Sequence, residues 1–243
     1  MGFLWSQLRQ AVPLIYHGDS YIWSVTWVTL RLALVSTIAA TVIGLPFAVT
    51  LGLGRFRGRR VLQALANASL ALPSVVVGVF VLILLLPGGV LGSLRIEFTL
   101  RGVYIAQTLL ALPFIVALVP AAIQGLAPGL LHQARALGAG RVQLAVLALR
   151  EARVGVLAAV IAAFGSAISE VGAVVIVGGN VSGHDQTLGT AVLAQINDDA
   201  NYPEAVAIGL VLLVLILILM AALTVLQQRA GGLGLRFRTG TVS

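Results

Sequence analysis

Five stretches of this chain stay apolar for the length of a bilayer crossing, and that constrains its fold more than any motif: roughly Ser24 to Leu53, Val61 to Leu86, Gly102 to Gln124, Val154 to Val177 and Ala205 to Leu226. About 20 residues of helix span the hydrocarbon. Lipid offers a backbone N–H or C=O no partner, so each stretch is expected to be a helix that satisfies itself. With 59% hydrophobic and 9% charged residues, a water-soluble domain is excluded, because it would expose a large apolar surface. The expected class is all-α and polytopic, with about five transmembrane helices. Pro46, Pro73, Pro113 and Pro120 fall inside spans, where neighbouring helices can absorb a kink.

Arginine sets the expected orientation. Arg55, Arg57, Arg59 and Arg60, then Arg135, Arg141, Arg150 and Arg153, then Arg229, Arg236 and Arg238 fall on one side; Arg9, Arg95 and Arg101 fall on the other. The richer side is expected to be cytoplasmic. Residues 1–23 then form an external segment, 24–228 the transmembrane domain with a cytoplasmic segment at 127–153, and 229–243 a cytoplasmic tail. Asp185, Asp198 and Asp199 fall in an external loop. Met1 to Ser20 has neither a sustained apolar core nor a small-residue cleavage site, so this segment is expected to remain attached. The net charge of +7 is read as membrane orientation rather than as affinity for nucleic acid.

Two missing residue types narrow the chemistry. Every basic residue in the Lys+Arg count is arginine, so the chain has no P-loop lysine, and any ATP is expected to be hydrolysed by another polypeptide. Without cysteine there is no thiol nucleophile and no thiolate metal site. His17, His132 and His184 fall in different polar segments, two external and one internal, so no metal site is expected from them. No cofactor and no catalytic residue are expected.

The most telling polar segment runs from His132 to Arg141 and on to Arg153, between two spans. Two short helical patterns flank an Arg135-Ala-Leu-Gly138 turn, which reads as a docking element for a soluble partner. Small residues recur four apart at Ala40, Gly44, Ala48 and Gly52, and again at Gly155, Ala159, Ala163 and Ala167. Such rows let helices approach closely, within one subunit or between two.

The docking segment resembles the EAA loop of ABC-importer permeases, in which Glu-Ala-Ala is followed after three residues by Gly and after nine more by Ile-x-Leu-Pro. Aligned on Gly138, the leading positions are His132, Gln133 and Ala134, and the trailing ones are Ala148, Leu149, Arg150 and Glu151. Only Ala134 and Gly138 match. Arg55-Phe-Arg-Gly-Arg-Arg60, Leu72-Pro-Ser-Val-Val-Val-Gly78, Ala106-Gln-Thr-Leu-Leu-Ala-Leu-Pro113, Leu149-Arg-Glu-Ala-Arg153 and Ile168-Ser-Glu170 through Asn180 are similar to the tungstate-type branch of that family. The resemblance implies a second permease subunit, as a homodimer, two cytoplasmic ATPase subunits and an external binding protein that delivers an oxyanion such as tungstate or molybdate. It implies that His132, Gln133, Ala134, Leu137, Gly138 and Arg141 couple to the ATPase. It also implies residence in the cell inner membrane.

A path for a dianion suits hydroxyls, backbone N–H groups and helix N-termini better than fixed cations, which would hold the ion too tightly. Ser74, Thr108, Ser166 and Ser169 are the candidate hydroxyls; each either lines the path or bonds its own backbone. Gly178, Gly179 and Asn180 form either a gate or a helix C-cap. Arg31 and Glu170 are the two charges inside the expected spans, at similar depth, and Glu170 is also expected beside the path. They either neutralise each other or are satisfied separately. Rival readings are an intramembrane enzyme built on Ser169 and Glu170, which has no base at membrane depth, and a secondary transporter, for which no inverted repeat is visible.

Overall fold

The computed structural model describes residues 2–16, 20–127, 129–198 and 200–235. The expectations for His17, Asp199, Arg236, Arg238 and the end of the tail lie outside the described residues. All regular structure among the described residues is helical. The helices are α1 (Gly2–Tyr16), α2 (Ser20–Leu53), α3 (Arg59–Ser69), α4 (Ser74–Leu85), α5 (Leu100–Gln124), α6 (Leu130–Ala136), α7 (Arg141–Glu151), α8 (Arg153–Ser169), α9 (Gly172–Gly178), α10 (Leu188–Asn197) and α11 (Tyr202–Leu235). A single 3-10 turn lies at Gly92–Leu94.

Helices α2, α5 and α11 are each long and apolar enough to cross a bilayer unaided, and two bent pairs bring the total to five spans if each pair counts as one. The pairs correct the expectation of continuous helices over Val61 to Leu86 and Val154 to Val177. Helix α4 departs from α3 by 102°, and α9 departs from α8 by 60°. The first break has a local cause. Pro73 has no N–H, and its ring disfavours helical geometry at Leu72, so α3 ends and α4 restarts with Pro73 as its extended N-cap at ψ 126°. The second break contains no proline. Val171 leaves the helical region at φ −125°, ψ −47°, and groups from elsewhere replace the lost ladder bonds.

Those replacements are specific. A continuous helix would pair Ala173 N–H with Ser169 C=O; instead Glu170 Oε1 accepts from Ala173 N–H at 3.0 Å. It would also pair Val171 N–H with Ala167 C=O; instead the buried Gln107 amide on α5 donates to Ala167 O at 3.2 Å. A side chain therefore re-satisfies the backbone on each side of the bend, which is what allows irregular backbone at membrane depth.

The chain divides into two units. The first comprises residues 1–38, 72–110 and 164–219. Here Ala11 of α1 joins Ile22 and Val25 of α2, Leu188 and Ala191 of α10, and Ala207 and Ile208 of α11 in one core. Neither α1 nor α10 was expected as a helix. Thr187 starts α10, its Oγ1 accepting from Thr190 N–H at 3.4 Å, while Thr29 Oγ1 accepts from Leu188 N–H at 2.8 Å. Elsewhere in this unit α4 and α9 meet backbone to backbone: a Cβ on Gly78 would lie 2.8 Å from Ala173 Cα, so no larger residue fits without separating them.

The second unit comprises residues 39–71, 111–163 and 220–243. Its core joins Ala40 and Ala48 of α2, Ile115, Val119 and Ile123 of α5, and Ala159 and Ala163 of α8. The small-residue rows are the seams of this packing. A Cβ on Gly44 would stand 3.1 Å from Ile115, and one on Gly52 3.0 Å from Ile123. Gly155 meets Ala122 in the same way. The outward faces remain apolar: Val42, Phe47, Val225 and Leu226 are exposed. In water such a surface would aggregate; in a bilayer it is the lipid contact.

Candidate functional site

The docking segment is built in the second unit as two helices joined by a glycine turn. Helix α6 ends at Ala136 in a Schellman arrangement, with Ala139 N–H donating to Ala134 O at 3.0 Å and Gly138 N–H to Arg135 O at 2.9 Å. Gly138 has φ +87°, and a Cβ there would meet nothing within 4 Å. Glycine is thus required by the backbone and not by crowding. Helix α7 starts at once, Gln143 Oε1 accepting from Gly140 N–H at 2.8 Å. Of the six residues expected to couple, His132, Gln133, Leu137, Gly138 and Arg141 are exposed and Ala134 is half-buried. Leu137 is 88% exposed and Val142 76% exposed. Apolar residues presented this fully on either side of a rigid turn form a compact contact surface.

Two of the expected path residues are brought together in the first unit, where both bent pairs restart. Ser74 opens α4, and Gly172 opens α9. A Cβ on Gly172 would lie 3.0 Å from Ser74 Oγ and 3.5 Å from Glu170 Oε1, so the hydroxyl and the carboxylate face one small space at the two breaks. Glu170 is half-buried. The pairing of Arg31 with Glu170 is not formed: Arg31 is exposed on α2, Glu170 caps α9, and no ion pair joins them among the described residues. The backbone bond was the nearer partner for a carboxylate at a helix break, and it prevailed.

The remaining hydroxyls divide. Thr108 Oγ1 donates to Tyr104 O at 2.7 Å, one turn back on its own helix. Ser169 Oγ has one proton to donate, shared between Gly165 O at 3.1 Å and Ser166 O at 3.2 Å, so that proton is taken up by α8 and not by Glu170. Ser166 is half-buried on the same helix.

Gly178, Gly179 and Asn180 form the C-terminal end of α9. Gly179 is the left-handed cap at φ +84°, its N–H donating to Val175 O at 3.2 Å, and Asn180 follows at φ +57°. The loop is then tied by a residue that sequence reasoning assigned no role. Asp185, 1% exposed, accepts from Val181 N–H at 2.8 Å and from Asn180 N–H at 3.1 Å. Burial pushes its carboxyl above the usual carboxylate range, against the opposing pull of those N–H groups. Gly178 is buried directly against that carboxylate, and a Cβ on it would lie 2.7 Å from Val103 Cγ2.

The pattern of the family described as binding-protein-dependent transport system inner membrane components matches residues 40–232. The chain belongs to that family. It is 31% identical to the tungstate uptake system permease protein of Peptoclostridium acidaminophilum, over 94% of this chain and 100% of that one. It is 36% identical to a probable anion ABC transporter permease protein of Haloferax volcanii, over 91% and 93%. A sulfate transport system permease protein of Salmonella typhimurium is 31% identical, over 84% of this chain and 76% of that one. Among solved structures, a chain of the inward-facing MetNI methionine ABC transporter is similar with a TM-score of 0.73 at 22% identity, over 90% of this chain and 98% of that one. A chain of a bacterial alginate ABC transporter, in complex with an alginate pentasaccharide-bound periplasmic protein, is similar with a TM-score of 0.71 at 18% identity, over 88% and 80%. At those identities the likeness is one of fold. The chain is a multi-pass ABC-importer permease with relatives among tungstate, molybdenum and sulfate permeases.

Two long-range contacts of this permease had no signal strong enough to find beforehand. Gln107 is an amide within an apolar span, and an intramembrane polar group invites a search for its partner; nothing local points to Ala167. Arg55 donates to His132 Nε2 at 3.4 Å, a contact between residues 77 apart in sequence.

Proposed function

We propose that this permease imports tungstate or a related tetrahedral oxyanion, driven by a separate ATPase and supplied by an external binding protein, with the pore formed by two copies of the chain. The observation that carries this reading is the docking turn: an 88% exposed leucine at the C-cap of a glycine-stopped helix, within a strongly basic unit, gives a soluble motor protein a rigid apolar handle. Similarity to a tungstate uptake permease along 94% of the chain supports the substrate. Similarity to an alginate transporter solved with its periplasmic protein supports the external partner.

In this reading the segment 127–153 is cytoplasmic, the N-terminus external and the C-terminus cytoplasmic, which the arginine asymmetry supports. The oxyanion passes the junction of Ser74 and Glu170. There a hydroxyl and the N-terminal N–H groups of α4 offer it neutral donors, and the Glu170 charge discourages tight binding. The test is reconstitution of the permease with its ATPase and binding protein in vesicles. Tungstate or molybdate should stimulate ATP hydrolysis well above sulfate, and equal stimulation with no anion at all would refute the oxyanion reading. A cysteine at position 141 labelled from outside intact cells would refute the topology.

A further inference from the structure

Among its described residues the second unit carries nine arginines against one carboxylate, Glu151. Several of these cations converge. A cleft of about 280 Å³ opens between the end of α2, the end of α5 and α6, with Arg55, Arg59, His132 and Arg135 on its wall. No carboxylate lines it, and none of the three arginines forms an ion pair among the described residues.

The cations are arranged rather than merely present. Arg59 is half-buried and held by α2, its Nε donating to Leu51 O at 2.7 Å and its terminal nitrogen to Gly52 O at 3.3 Å. A guanidinium has five N–H donors, so three of them remain unused by these bonds. Arg55 donates to His132 Nε2 at 3.4 Å, which ties the loop after α2 to α6 and makes that ring nitrogen an acceptor. Arg135 reaches the cleft from the next turn of α6. Cations gathered without a counterion repel one another, and a planar guanidinium fork matches the paired oxygens of a phosphate-like group.

We propose that this cleft is a binding site for a tetrahedral oxyanion group, held by Arg55 and Arg135 against the oriented Arg59. Two sources carry that chemistry: the phosphate of an anionic lipid headgroup, which the ends of two membrane helices would meet at the bilayer surface, or a free dianion in solution. The cleft shares no residue with the Ser74 and Glu170 junction. It borders the docking turn through His132 and Arg135, so occupancy fastens α6 to the end of α2.

The experiment uses the full chain purified in detergent. Binding is measured by native mass spectrometry and by thermal stabilisation, with phosphatidylglycerol, phosphatidylcholine, inorganic phosphate or tungstate as the added probe. The variants are Arg55→Gln, Arg135→Gln and the pair together, with Arg229→Gln as a control outside the cleft. Wild type should retain phosphatidylglycerol over phosphatidylcholine, or bind phosphate or tungstate saturably; the first outcome assigns the lipid source and the second the free anion. Each lost charge-assisted contact should weaken binding roughly tenfold, the double variant should lose the preference, and added salt should weaken binding in wild type. Equal retention of both lipids with no anion binding overturns the site. So does a double variant that binds like wild type, or a loss in Arg229→Gln as large as in the cleft variants. If the ATPase-bound permease excludes every probe and the cleft variants lose the ATPase instead, the cleft takes a protein carboxylate and the proposal fails.

Discussion

Gly138 offers a quantitative test of the docking turn, because its backbone and its surroundings can be separated. Its φ of +87° lies in the left-handed region, and a Cβ built there touches nothing within 4 Å. Any penalty for a larger residue is therefore conformational. For alanine it is about 1–2 kcal/mol, from contact of Cβ with its own backbone. A β-branched residue costs more, since it scarcely visits that region at all. A variant that escapes to negative φ forfeits the 3.0 Å and 2.9 Å bonds that close α6, at about 1 kcal/mol each. Each 1.4 kcal/mol is about tenfold in the population of the closed turn. The series Gly138→Asn, Gly138→Ala and Gly138→Val should then lose coupling in that order, because asparagine tolerates the left-handed region better than other residues. Vesicles containing the permease, its ATPase and its binding protein report coupling as oxyanion transported per ATP hydrolysed. Hydrogen exchange at the Gly138 and Ala139 amides reports the turn itself. If Gly138→Val couples and protects like wild type, or if Gly138→Asn is as impaired as Gly138→Val, backbone conformation is not what the turn supplies.

Three further outcomes follow from single contacts. Glu170→Gln keeps an oxygen for Ala173 N–H while Glu170→Ala does not, so the alanine variant should lose about 1 kcal/mol of stability, and thermal unfolding that ranks the two equally would contradict the capping role. Gly78→Val must push α4 from Ala173, whose Cα stands 2.8 Å from the new Cβ; about 1–3 kcal/mol is expected from overpacking, and unchanged unfolding in detergent would refute the close approach. Asp185 has its carboxyl raised by burial, so the folded loop binds that proton more tightly than the unfolded chain does. Its stabilising contribution is fullest below the ordinary carboxylate range and is lost as pH rises through the raised value. Protection factors at Asn180 and Val181 should fall over that window in wild type and stay flat in Asp185→Asn; a flat wild-type profile would contradict the assignment.

How much of this was legible beforehand depends on the range of the forces involved. The membrane class was readable because a bilayer imposes one requirement on every residue it contains, and an apolar run satisfies it without reference to the rest of the chain; whether a run is one straight span or a bent pair was not. Gly138 was readable for the same reason, since a left-handed helix stop depends on a few neighbouring residues. Pro73 marked a kink, but a kink and a 102° turn are written identically in sequence. The bend at Glu170 was invisible, because it exists only where Gln107, 60 residues away, covers the carbonyl that the bend exposes. Arg31 and Glu170 show the same limit from the other side. Similar depth suggested a pair, yet only the tertiary structure decided which partner each charge could reach, and a hydrogen bond to a backbone three residues away was closer than an ion pair across two helices.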